Sequence, residues 1–195
     1  MRKTKPQNTY RHLLNFVNKD AMRPILKGFH TTHDGHLEAT NGHIMLRLLN
    51  RMPSNQECTI EPKELQTIEG DYPNVDRIIP TTHNALWKLD PSEAPAIVKF
   101  LKSFAKNSDV LVTTKDQQLV IADVIGDTRS TFGLLDQSGD EIEFRCSASY
   151  LVYMMGFIAD YAMFPVEVRL LSPEAAIVFE LENHFIGLIM PKKTY

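Results

Sequence analysis

The sequence predicts an α+β fold, with helices laid on one face of antiparallel strands. Three observations predict it. Most apolar runs are short and end at turn residues, as at Asp34-Gly35, Asn41-Gly42 and Gly126-Asp127. Three segments instead carry the helical period. After residue 80 the order strand, helix, strands occurs twice, which is an internal duplication.

The first helical segment is Tyr10 to Val17, with Tyr10, Leu13, Leu14 and Val17 on one face and Asn8 as its N-cap. Pro24 to Leu49 reads as strands, with a hairpin turn at Asp34-Gly35 and a second turn at Asn41-Gly42. Pro53 to Glu57 is a polar loop, and Ile60 to Ile68 fits no single pattern. Glu69 to Pro80 mixes apolar residues and prolines with Asp71, Asp76 and Arg77. Pro73 and Pro80 each fix φ and lack a donor, so an extended, rigid connector is expected there.

A helix with a full start signal follows: Asp90 as N-cap, Pro91 at N1 and Glu93 at N3. Its apolar stripe is Ile97, Phe100, Leu101 and Phe104, opposite Lys99, Lys102 and Lys106. Val110–Thr114, Gln118–Val124 and Thr128–Leu135 are strands, Ser138-Gly139 a turn and Glu141–Cys146 a strand. Ser147 or Ser149 then caps a helix running to about Tyr161. Val166–Leu171, Ala175–Leu181 and Phe185–Met190 close the chain as strands.

A chain of 195 residues with 43% hydrophobic and 23% charged residues is able to bury a real core, as one large domain or two small ones. The net charge of −3 offers no basic surplus, so nucleic-acid binding would need a local stripe. Cys58 and Cys146 form no CxxC and read as reduced thiols. The basic start has no apolar run behind it and no stretch has membrane length, so a cytoplasmic protein is expected. There is no GxSxG, P-loop or dinucleotide fingerprint, and no cofactor is implied. His30, His33, His36 and His43 invite a metal or hydrolase reading. The turn between His33 and His36, with strand alternation, scatters them over two faces instead.

The connector, with its glycine, Tyr72-Pro73 pair and Arg77-Ile78-Ile79-Pro80, resembles the link between the second and third domains of the bacterial DNA polymerase III beta subunit, the sliding clamp. Leu26-Lys27-Gly28-Phe29 with Ala39-Thr40-Asn41-Gly42-His43 is similar to that family's second domain. Ser149-Tyr150-Leu151 and Ile189-Met190-Pro191-Lys192 are similar to its third domain and its tail. The resemblance implies a sliding-clamp fold. Residues 1–80 then correspond to the first half of the second domain plus the connector, and 81–195 to a complete third domain. The family's first domain has no counterpart. Asn41 stands where the family has aspartate, Ile44 where it has a basic residue, and Lys192-Lys193 where it has methionine-arginine.

The same resemblance implies a non-enzymatic replication accessory factor, a processivity factor expected to bind clamp-motif peptides and to encircle DNA as an oligomer. One wall of its peptide groove would be Leu26, Thr40, Gly42, His43, Met45, Pro73, Arg77 and Ile78; the other would be Tyr150, Leu188, Ile189, Met190 and Pro191. The competing reading is that these residues only pack the junction. Implied partners are polymerase, clamp-loader or repair proteins carrying linear motifs, and double-stranded DNA. Lys99, Lys102, Lys106, Arg11 and Lys19 are the candidate DNA contacts; a solvated helix face is the alternative for the lysines. A homodimer through Tyr10–Arg51 is expected, because a half domain exposes a sheet edge. The rival role is a peptide-binding module that does not form a ring and competes with a full-length clamp.

Overall fold

The computed structural model describes residues 6–19, 22–105 and 108–193. Thirteen strands form two antiparallel sheets among these residues. The amino-terminal part supplies β1 (Phe29–Thr31), β2 (Leu37–Thr40), β3 (Ile44–Leu48) and β4 (Cys58–Ile60). The rest supplies β5 (Ala85–Leu89), β6 (Asp109–Lys115), β7 (Gln118–Asp123), β8 (Arg129–Gly133), β9 (Asp136–Gly139), β10 (Phe144–Ser147), β11 (Val166–Leu170), β12 (Ile177–Leu181) and β13 (Phe185–Ile189). The larger sheet runs β4-β1-β2-β3-β13-β12-β11-β5-β9 and the smaller β10-β6-β7-β8. The β3–β13 pairing, from Phe185 opposite Leu48 to Ile189 opposite Ile44, makes one continuous sheet from strands about 140 residues apart.

Strand alternation gives the larger sheet two different faces. On the first, Leu37, Ala39, Leu46, Leu48, Phe185 and Ile189 join the main core. Three helices cover this side: α1 (Pro6–Leu13), α2 (Ala94–Leu101) and α3 (Ala148–Tyr161). α3 packs against both of the others and lies between them. Its sequence is apolar almost all round, and Asp160 is its one exposed residue. On the opposite face, Met45, Val178 and Leu188 form a small second core with Val75, Tyr72 and Ile79 of the connector.

Several elements differ from the sequence reading. α1 begins earlier, with Asn8 inside it rather than at its cap. Its buried anchors are Leu13 and, in the turn after it, Phe16, while Tyr10 is half exposed and Leu14 is exposed. The helix ends at Leu13 after 8 residues and passes into a turn, so the apolar period breaks there. Pro24–Lys27 is a 3-10 turn rather than strand, with Pro24 supplying its start. The connector is not extended throughout: Val75–Ile78 is a 3-10 turn, because the Asn74 side chain accepts the Asp76 N–H at 3.0 Å. α2 starts at Ala94, four residues beyond Asp90, whose carboxylate instead holds the Ser92 N–H in the preceding turn at 2.9 Å. Ser138-Gly139 belongs to a strand, β9, paired with β5. The edge at β4 is covered within the chain: Ile68 donates to the Thr59 carbonyl at 2.8 Å and Ile60 bridges Thr67.

Candidate peptide-binding pocket

The β2–β3 turn is built by its own side chains. Asn41 Oδ1 accepts the N–H groups of His43 at 2.8 Å and Ile44 at 3.0 Å. Only an acceptor oxygen is required, so asparagine serves where the clamp family has aspartate. Gly42 takes φ +90°, a conformation that side-chain-bearing residues rarely adopt. Thr40 Oγ1 accepts from the Gly42 N–H at 3.1 Å and donates to the Ile44 carbonyl at 2.7 Å. The turn therefore presents His43 at the surface, with Thr40 and Met45 below it.

Beside this turn lies a cavity of about 210 Å³, lined by Arg23, Leu26, Thr40, Gly42, His43, Ile44, Met45, Pro73, Asn74, Val75, Ile78, Leu188 and Met190. Its floor is deeply buried and apolar: Leu26, Met45 and Leu188 each expose 1%. Its outer rim carries Ile78, which exposes 48%, and Arg23, the one permanently charged residue of the lining. Such a site suits an apolar anchor side chain on an extended segment.

Of the thirteen residues implied for the groove, nine line this cavity. Arg77 does not; it is exposed on the 3-10 turn whose Val75 and Ile78 do. Ile189 is fully buried on the helix-covered face, because alternation sends it opposite to Leu188. Tyr150 sits behind His43, its ring stacked on the imidazole at 6.2 Å and its body against the main core. Pro191 lies in the tail beyond the lining, where Lys192 N–H donates to the Arg145 carbonyl at 2.7 Å. Sequence reasoning missed Arg23, Ile44, Asn74 and Val75. Each is within three residues of a residue it named.

A buried polar row runs under the connector. Register places His30 opposite Glu38 and Glu38 opposite Arg47. Arg47 Nε donates to Glu38 Oε1 at 2.5 Å and Arg47 Nη1 to Asp76 Oδ1 at 2.6 Å. Burial pushes the Glu38 carboxyl above the usual carboxylate range, with Arg47 pulling against it. Tyr72 stacks on His30 with centroids 4.1 Å apart, and burial pushes its phenol upward. Burial lowers the His30 imidazole, while Glu57 opposes that. Nδ1 of His30 lies 3.0 Å from Thr59 Oγ1.

The histidines are thus spent separately, and among the described residues no three His, Cys, Asp or Glu converge as a metal site. Arg11, Lys19, Lys99 and Lys102 are exposed on or just beyond α1 and α2. Lys106 lies outside the described residues. α3, between those helices, has no Lys or Arg, and its Asp160 pairs with His12 at 3.0 Å. No helix among the described residues is long and apolar enough to cross a membrane.

No protein-family model matches the chain, and no curated protein does. Solved structures do. The beta subunit from the DNA polymerase of Streptococcus pyogenes superposes with a TM-score of 0.78 at 16% identity, covering 100% of this chain and 68% of that one. The DNA polymerase sliding clamp of Bacillus subtilis gives 0.79 at 16%, covering 97% and 63%. The DnaN sliding clamp of Bartonella birtlesii, bound to griselimycin, gives 0.75 at 16%, covering 96% and 64%. The chain thus spans about two thirds of the length of these proteins. Two sheets backed by a layer of helices, matched over nearly every residue, give this chain the fold of the bacterial DNA polymerase III beta sliding clamps.

Proposed function

We propose that the protein is a non-catalytic, sliding-clamp-like accessory factor of DNA replication that binds linear peptide motifs of polymerase, clamp-loader or repair proteins. The carrying observation is the apolar cavity between the β2–β3 turn, the connector and β13. Residues 1–80 act in this reading as a partial clamp domain and 81–195 as a complete one. Leu26, Thr40, Met45 and Leu188 receive the anchor side chain, and Ile78 and Met190 close over it.

Titration calorimetry with a peptide bearing leucine and phenylalanine anchors tests this. Binding is expected, and Met190→Ala should weaken it by about 1–3 kcal/mol. A folded sample that takes up no such peptide removes the reading.

A second role, a peptide-binding module that does not encircle DNA, is favoured by one feature. The middle helix of the helical layer carries no cation and exposes Asp160, so the exposed Arg11 and Lys99 flank a strip without positive charge.

A further inference from the structure

Two of the cavity's walls that are not made of strand lie at its opening. One is the connector at Pro73–Ile78 and the other is the tail at Met190. Strand walls are held by a ladder of backbone hydrogen bonds, whereas these two have few. The connector is tied by Asp76, whose Oδ1 accepts from Arg47 Nη1 at 2.6 Å. Arg47 is itself buried and fixed by Glu38, so the tie is anchored to the sheet. The tail holds through the Met190 N–H on the His43 carbonyl at 2.8 Å and through Lys192. Lys192 Nζ lies 2.5 Å from Asp109 Oδ1, and Arg145 Nη2 lies 2.8 Å from Asp109 Oδ2. Asp109 is mostly buried at 12% side-chain exposure, while Lys192 exposes 49%, so the pair is fixed at its carboxylate end and open to salt at its ammonium end. Neither Asp109 nor Lys192 lines the cavity.

We propose that Asp76 and Lys192 are positioning residues: the Asp76–Arg47 and Lys192–Asp109 ion pairs clasp the connector and tail walls, so that affinity for an uncharged apolar peptide depends on charges the peptide never touches. This deepens the peptide-binding reading and rests on it. The two ion pairs act on the opening of the cavity and leave its apolar floor unchanged. Lys192 is also a point where this chain departs from the clamp family's tail.

The test uses the full chain with a terminally blocked, uncharged peptide carrying leucine and phenylalanine anchors. Calorimetry gives affinity. Hydrogen exchange without peptide follows the amides of Met190 and of 75–78. Asp76→Asn and Lys192→Met should each weaken binding about threefold to tenfold. Asp76→Asn should speed exchange at 75–78, Lys192→Met should speed it at Met190, and Lys192→Arg should restore both readouts. Raising salt from about 0.1 M to about 1 M should weaken the wild type but not the double variant. Variants that bind and exchange like the wild type overturn the proposal. A wild type that binds no peptide overturns the parent reading instead, and the exchange rates then decide the clasp: faster exchange supports it and unchanged protection rejects it.

Discussion

Arg47→Met is the sharpest probe of the buried row beneath the pocket. Arg47 exposes 7% and Glu38 only 2%, and the guanidinium is the one cation hydrogen-bonded to the Glu38 carboxylate among the described contacts. Removing it leaves a charge with neither water nor a partner, which costs about 3–5 kcal/mol at neutral pH. The loss depends on pH in a defined direction. Burial already holds the Glu38 carboxyl above its unfolded value, so the folded state binds the proton more readily. That contribution is fully present below the ordinary glutamate range and is lost as pH rises through the folded value. Without Arg47 the folded value rises further and the window widens. The variant should therefore approach the wild type near pH 4 and fall well below it at pH 7. Urea unfolding at both pH values, followed by the single buried tryptophan, Trp87, reads this directly. Glu38→Leu added to Arg47→Met should recover most of the loss, since an apolar replacement leaves no charge to solvate. A penalty under about 1 kcal/mol at pH 7, or equal penalties at both pH values, would refute the reasoning, because Glu38 would then be solvated or unimportant.

Gly28→Ala should destabilise the fold by about 1–3 kcal/mol in thermal unfolding, because its Cβ would lie 2.9 Å from the Ile60 carbonyl and 2.4 Å from Thr59 Cγ2. Weak, sequence-independent binding to linear duplex is expected, and replacing Lys99 and Lys102 by alanine should reduce its salt slope by about 2; an unchanged slope assigns both lysines to a solvated face. Light scattering at micromolar concentration should show a homodimer through the amino-terminal part, although the β4 edge is already covered by 61–68. A stable monomer would show that this internal cover is sufficient.

Local pattern and local turns carried a large share of the fold. β6, β7 and β8 are joined by short turns and alternate cleanly, so their boundaries were legible to within a residue or two. α3 was legible because a long apolar helical run follows a serine at the strand end. The floor of the pocket was reached through resemblance, from residues such as Leu26, Thr40 and Leu188. No spacing in the chain says that they meet. That meeting depends on β3 pairing with β13, and nothing in either strand encodes its partner, since both are five apolar-rich residues able to pair at any free edge. Tertiary packing also decided where α1 turns, because Phe16 must reach the core, and it recruited β9 to an edge that its polar sequence does not request. The row of Glu38, Arg47 and Asp76 was invisible for a related reason. Charged residues at alternate strand positions ordinarily mean a solvated face. Here the connector lies over that face and buries Glu38 and Arg47, while its own Asp76 stays exposed, so only the folded chain turns these charges into the tie that holds one wall of the pocket.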